Sequence, residues 1–212
     1  MQVQDVHSRG LYKTTTLSSY YMERMIDPYE LIGVLNTAKV RFVLVGAHGL
    51  SGWTKKPRAT EDVDILVGKQ HHKKALGAVL EAYPHLEPVD LPVVTRLRDP
   101  DSGDVVIDLM KPVQEPYAAA LKHTRTVTAK GHTYKIPSLE MALVMKFSAM
   151  ISLYRGETEK LQDAHDFRQI IEANPDIDLD KLAELGEYAY SSGGKEIVEM
   201  VRRVRAREKL IL

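Results

Sequence analysis

The sequence contains no cysteine. This excludes a disulfide framework, a thiolate metal site and a cysteine nucleophile. It also has no net charge, since 29 Lys and Arg balance 29 Asp and Glu. No global field recruits nucleic acid or an anionic membrane, so any polyanion has to be met by a local patch. No apolar run approaches the length needed to span a bilayer, and the opening MQVQDVHSRGLYKTTT lacks the apolar centre of a signal peptide. These absences predict a cytoplasmic protein without a membrane partner. No internal repeat or low-complexity tract is present. The 212 residues suit one large domain, or a core domain with a smaller appendage.

Read in order, the chain divides into two kinds of pattern. A helix is predicted from Asp27-Pro28, with proline at its first position and Leu31, Ile32, Val34 and Leu35 along it. RFVLVG is too short for a helix and ends in glycine, so it reads as a buried strand. Residues 46–53 should turn from that strand into a helix, and residues 62–67 form a second strand. Residues 69–83 are amphipathic, with Ala75, Leu76, Val79 and Leu80 on one face. VVTRLRD and DVVIDLM flank Pro100-Asp101-Ser102-Gly103, a turn sequence, and predict an antiparallel hairpin. A short helix near 116–122 and a second hairpin, RTVTA-KG-HTYKI, follow. Beyond Pro137 everything has helical period: 138–153, 157–173, 179–191 and 194–208, broken at Gly156, Asn174-Pro175 and Gly193-Gly194. The expectation is a mixed α/β (α+β) sheet domain over 1–137, followed by a helical region over 138–212.

The chemistry concentrates in VGAHGLSGWTKKPRATEDVDILV. Asp62 and Asp64 are two apart on a predicted strand and so project from one face. Two such anions repel unless something compensates, and a divalent cation is the simplest compensator. Magnesium prefers carboxylate oxygens and keeps open positions for phosphate oxygens. On its own, a pair of acids on a strand edge is as readily a solvated surface. Asp108 sharpens the signal, because it sits in the apolar strand VVIDLM, where a lone carboxylate is costly. Neighbouring strands can bring it opposite the pair. Gly46 permits close backbone approach, and the helix start behind it offers N–H groups to phosphates. Arg58, Lys55 and Lys56 could neutralise further phosphate charge, although a solvated basic loop is the better reading for the two lysines.

With these residues in view, the sequence resembles the nucleotidyltransferase superfamily, which has the DNA polymerase β-like fold. The run G-x-H-G-x(8)-R-A-T-x-D-V-D-I is similar to its minimal, abortive-infection-type (AbiEii-like) branch, where R-x-T precedes the D-x-D as Arg58-Ala59-Thr60 do here. Residues 41–110 carry the likeness best. Lys146 and RGETEKLQDAHD (155–166) extend it more loosely. The resemblance implies transfer of a nucleoside monophosphate from an NTP to a hydroxyl on RNA or tRNA, protein or a small molecule. It implies catalytic and metal-ligating roles for Asp62, Asp64 and Asp108 with Mg2+ or Mn2+. Gly46, Ala47, His48, Arg58, Thr60 and Lys146 would bind nucleotide. Many members of that branch are toxins of toxin–antitoxin pairs, which implies a cognate antitoxin partner. The turn departs from the usual Gly-Gly or Gly-Ser, because Ala47 has no hydroxyl. A catalytically idle scaffold, binding a nucleotide or partner, is the alternative.

Other candidates read as structural. His48 suits a packed turn histidine, and Lys146 on an apolar helix usually snorkels to water. Asp163 and Asp166 share a helix face with Lys160, and a surface ion-pair set is the expectation for Asp166. His165-Asp166 lacks the partners that a metal phosphohydrolase needs, and His71-His72 is expected to be exposed. The arginines of the last helix (Arg202, Arg203, Arg205, Arg207, with Lys209) could track an RNA backbone, but such faces are more often simply solvated.

Overall fold

The structure is a computed structural model that describes residues 25–55 and 60–208. Helix α1 (Pro28–Thr37) starts where predicted, with the Asp27 carboxylate accepting from the Tyr29 N–H at 2.8 Å. Its apolar positions Leu31, Ile32 and Leu35 are fully buried. Strand β1 (Phe42–Leu44) leads into α2 (Gly46–Thr54), and β2 (Val63–Val67) leads into α3 (Lys69–Ala82). Strands β3 (Glu87–Asp90), β4 (Val94–Arg98) and β5 (Val105–Met110) follow. The five strands form one mixed sheet of order β1-β2-β5-β4-β3, in which β2 and β5 run parallel and the other neighbours antiparallel.

The β4–β5 hairpin is the one read from its turn. Strand β3 was not foreseen. Its Pro88 removes one ladder donor, which only an edge strand tolerates, and β3 is the sheet's edge. After α4 (Tyr117–Ala120) the second predicted hairpin appears as β6 (Thr124–Ala129) and β7 (His132–Pro137).

The helical part comprises α5 (Leu139–Met150), α6 (Glu157–Ala173), α7 (Leu179–Gly186) and α8 (Gly193–Arg205). Helix α5 is apolar on nearly every side and sits in the core, burying Met141, Ala142, Leu143, Val144 and Phe147 completely. Each such large side chain contributes about 1.5–3 kcal/mol. Helix α7 stops earlier than its periodicity suggested. The Glu187 carboxylate turns back to accept from the N–H groups of Ser192 (2.9 Å) and Gly194 (3.1 Å), capping α8. Gly186 is needed there, since a Cβ would lie 2.6 Å from the Gly194 Cα.

One hydrophobic core includes residues on both sides of Pro137. Polar ties join the parts as well. Trp53 Nε1 donates to the Pro137 carbonyl (3.0 Å), Asn174 Nδ2 to the Trp53 carbonyl (2.8 Å) and Lys55 Nζ to the Ala173 carbonyl (2.9 Å). The first bond ties α2 to the end of β7, and the other two hold it against the C-terminal end of α6. Lys55 is thus exposed but tethered, rather than the free loop lysine expected.

Candidate active site

The parallel β2–β5 pairing sets Asp64 directly beside Asp108. Asp62 lies one residue ahead of β2, rather than within it, and turns to the same side. One carboxylate oxygen from each of the three lies within 4.8 Å of the others. The residues alternating with them, Val63, Ile65 and Ile107, are buried in the core. The strand period thus sends three acids to one face and the apolar residues to the other.

The acids are poorly compensated. Burial, then the negative charges of Asp62 and Asp108, push the Asp64 carboxyl up to about 7, against a weaker downward pull from Lys146 and Arg155. Burial also raises Asp108, opposed by Arg96 and reinforced by Asp62. Asp108 Oδ1 is buried and makes no hydrogen bond. The Arg96 Nε beside it, at 3.6 Å, makes none either. Asp62 is oriented by Thr60, whose Oγ1 donates to Asp62 Oδ1 at 2.6 Å. Three clustered carboxylates with an orphaned buried oxygen fit a hard divalent cation.

The turn between β1 and α2 closes one side of the site. Gly46 has φ +57°, and a Cβ there would fall 1.7 Å from Asp64 Oδ2. Glycine is required on both counts. The Val45 N–H donates to the Asp64 carbonyl at 3.0 Å, which locks the turn to β2. Helix α2 has no side-chain cap, and Gly46 and Ala47 at its start line the cleft.

Helices α5 and α6 form the opposite wall of a cleft of about 530 Å³. Lys146 Nζ donates to Asp163 Oδ1 and Asp166 Oδ2, both at 2.7 Å. Arg155 Nη1 stands 3.0 Å from Asp163 Oδ2, and Gln162 Nε2 donates to Asp166 Oδ1 at 3.0 Å. Two cations and two anions thus make a compensated quartet beside three carboxylates whose one nearby ion-pair partner, among the described residues, is Arg96. This corrects the expectation of a surface ion-pair set. Asp163 and Asp166 are only 3% and 4% exposed, and their partner is Lys146 rather than Lys160. They share a helical stripe with Phe167 and Ile170, which turns that face onto α5. Lys146 is accordingly held by carboxylates and does not reach out to water.

Among the sequence candidates, the cleft brings together Gly46, Ala47, Thr60, Asp62, Asp64, Asp108 and Lys146. His48 is half-buried on α2 and does not line it; its carbonyl accepts from Ser51 Oγ at 2.7 Å. Arg58 lies outside the described residues, as do Lys56 and Lys209. His72, expected to be exposed, is half-buried with Nε2 3.2 Å from Thr95 Oγ1. In the last helix Arg202 and Arg203 pair with Glu199, and Arg205 donates to the Pro175 carbonyl.

Sequence reasoning missed Arg96, Arg155 and Tyr117, all of which line the cleft. Arg155 lay within the run already singled out. Arg96 was hidden by register. A β-bulge between Leu97 and Arg98 shifts the hairpin so that Arg96 pairs with Asp108 and shares its face.

Comparison with solved structures gives this architecture its class. An antigenic nucleotidyltransferase-like protein from Paracoccidioides brasiliensis matches with a TM-score of 0.52 at 20% identity, over 85% of this chain and 91% of that one. ANT(2″)-Ia, solved in complex with adenylyl-2″-tobramycin, matches with a TM-score of 0.52 at 11% identity, over 84% of this chain and 95% of that one. JHP933 from Helicobacter pylori matches with a TM-score of 0.50 at 16% identity, over 89% of this chain and 93% of that one. At these identities the likeness is one of fold, and the chain has the nucleotidyltransferase fold. No protein-family model matches the chain, and no curated protein does.

Proposed function

We propose that the protein is a metal-dependent nucleotidyltransferase, moving a nucleoside monophosphate from an NTP to a hydroxyl acceptor. The observation that carries this reading is the convergence of Asp62, Asp64 and Asp108 in one cleft. Those three residues would hold Mg2+ or Mn2+, which when bound supplies charge to offset the triphosphate and to polarise the reacting phosphoryl group. Gly46 and Ala47 offer backbone donors to the β- and γ-phosphates, with Arg58 and Thr60 as further nucleotide contacts; His48, which does not line the cleft, is not among them. Lys146 and Arg155 present cationic charge from the facing wall. Asp108 helps the acceptor hydroxyl lose its proton, which passes to its carboxylate, a role supported by the raised proton affinity that its burial causes. The acceptor oxygen then bonds to the α-phosphorus as pyrophosphate departs. The helical region after Pro137 walls the cleft through α5 and α6.

Among proteins of this fold, ANT(2″)-Ia was solved with an adenylylated small molecule, so hydroxyl groups of small molecules belong among the acceptor classes. The likeness of R-A-T-x-D-V-D-I to the abortive-infection branch supports a cytoplasmic toxin with a cognate antitoxin. A second reading, an idle scaffold that binds nucleotide or a partner, is favoured by Ala47, which offers no hydroxyl to a phosphate.

The deciding experiment supplies each α-labelled NTP with Mg2+ or Mn2+ and cellular RNA, protein and small-molecule fractions as acceptors. The wild type should transfer label from one NTP, and Asp62→Asn with Asp64→Asn should abolish transfer while leaving the protein folded. Transfer that survives this double substitution would refute the carboxylate reading. NTP binding without transfer by the wild type would favour the scaffold.

A further inference from the structure

We propose that a second groove, separate from the carboxylate cleft, holds the phosphate backbone of an RNA acceptor. The word acceptor rests on the nucleotidyl-transfer reading; the groove itself does not. It measures about 520 Å³ and shares no lining residue with the cleft. Its walls are the end of α1 with β1, the start of α3, and the β6–β7 ribbon.

Charge singles it out. The chain as a whole is neutral, but three segments lack any Asp or Glu: residues 31–60, 65–80 and 116–139. The fold brings these three together, and they supply every residue lining the groove. Arg41 and Lys135 are exposed on its rim, and neither forms an ion pair among the described residues. By contrast, Lys146, Arg155, Arg168, Lys181, Arg202 and Arg203 are each within salt-bridge distance of a carboxylate. Of the arginines that read as an RNA-tracking face, Arg202 and Arg203 share Glu199 and Arg205 is held by the Pro175 carbonyl, whereas the rim cations of the groove have no such carboxylate among the described residues.

The polar groups suit phosphate oxygens. On the ribbon Thr126 sits opposite Lys135, and both line the groove. Hydroxyl and ammonium donors of this kind position a backbone without reading sequence. Gly68 caps α3 without a side-chain hydrogen bond, and Gln70 and His71 of its first turn line the groove. Further exposed cations, Lys39, Lys69 and Lys73, lie within two residues in sequence of the lining residues Val40, Gln70 and His71, which suits an extended polyanion better than a compact one. Strand β1 connects the two sites. From Phe42 in the groove to Gly46 in the cleft the chain advances about 13 Å. An RNA lying in the groove could therefore present a hydroxyl at the cleft.

The test uses the full chain and a fluorescein-labelled RNA 20-mer, read by anisotropy across a salt series. Wild type should bind with log K falling linearly with log salt. Arg41→Gln with Lys135→Gln should flatten that slope by about 1.4, the loss expected for two single-strand phosphate contacts. Arg41→Lys with Lys135→Arg should restore it, and an unchanged melting temperature shows that the variants are folded. Asp62→Asn should bind RNA as wild type does, so a failure of label transfer with RNA binding intact strikes the catalytic reading and leaves the groove standing. Absence of RNA binding by the wild type, or a slope indifferent to Arg41 and Lys135, overturns the groove. So does binding of poly-glutamate or inorganic phosphate, in place of RNA, with the same dependence on those residues.

Discussion

Asp64 should make the metal-free protein less stable at neutral and alkaline pH than a variant that cannot ionise. Its carboxyl is shifted from 3.8 to about 7, mainly by burial and then by Asp62 and Asp108. A folded state that raises a carboxyl's proton affinity gains stability from it at low pH, fully so below about 4. That contribution is lost as pH rises through about 7. At 1.36 kcal/mol per pH unit, the ionised group disfavours the fold by up to about 4 kcal/mol near pH 8. Asn keeps the shape and removes the charge. For a chain of this size each kcal/mol moves the melting temperature by about 2–4 °C. In EDTA near pH 8, Asp64→Asn should therefore melt higher than wild type by several degrees, up to about 16 °C. Near pH 4 the difference should shrink toward zero, since Asp64 is then protonated. Mg2+ should raise the wild-type melting temperature near pH 8 by binding the folded state, and should raise that of Asp64→Asn much less. Calorimetric scans at the two pH values decide the matter. No gain in Asp64→Asn near pH 8, or an equal gain at both, would refute the reasoning.

Two further outcomes follow from close contacts in the cleft. Gly46→Ala must fit a Cβ where Asp64 Oδ2 lies 1.7 Å away, and at φ +57°, so it should lose about 2–4 kcal/mol in urea denaturation; a loss within about 0.5 kcal/mol would contradict the packing of that turn. Lys146→Met removes the cation that bonds both buried Asp163 and Asp166, which should cost about 3–5 kcal/mol, partly recovered by adding Asp166→Asn; an unchanged urea midpoint would show that Lys146 is not what neutralises them.

Much of this was legible in the chain. The hairpin turn at 100–103, the D-x-D at a strand start and Asp108 within an apolar run all follow from the period of two along a strand and from turn chemistry. So do Pro28 at a helix start and the span of α6. What was misread or missed shares one cause. Asp166 looked like a surface acid because its partner Lys146, twenty residues away on another helix, is invisible to local spacing. Yet Phe167 and Ile170 on the same stripe already marked that face as inward. Arg96 could not be assigned because a single bulge decides whether it faces Asp108 or the core. Strand β3, with its proline, depends on an edge position that only the assembled sheet provides.

The sequence by itself determined the elements, the residue types able to hold a cation and phosphates, and the acid-free, basic segments. Those are properties of neighbours within a few residues, set by backbone sterics, side-chain period and composition. Only the tertiary structure decided that Asp64 stands beside Asp108, that Lys146 lies between two buried aspartates, and that three acid-free segments meet in one groove. Strand register and helix docking are chosen by contacts between residues far apart in the chain. Their free energies exist only once the core has assembled, so local pattern does not carry them.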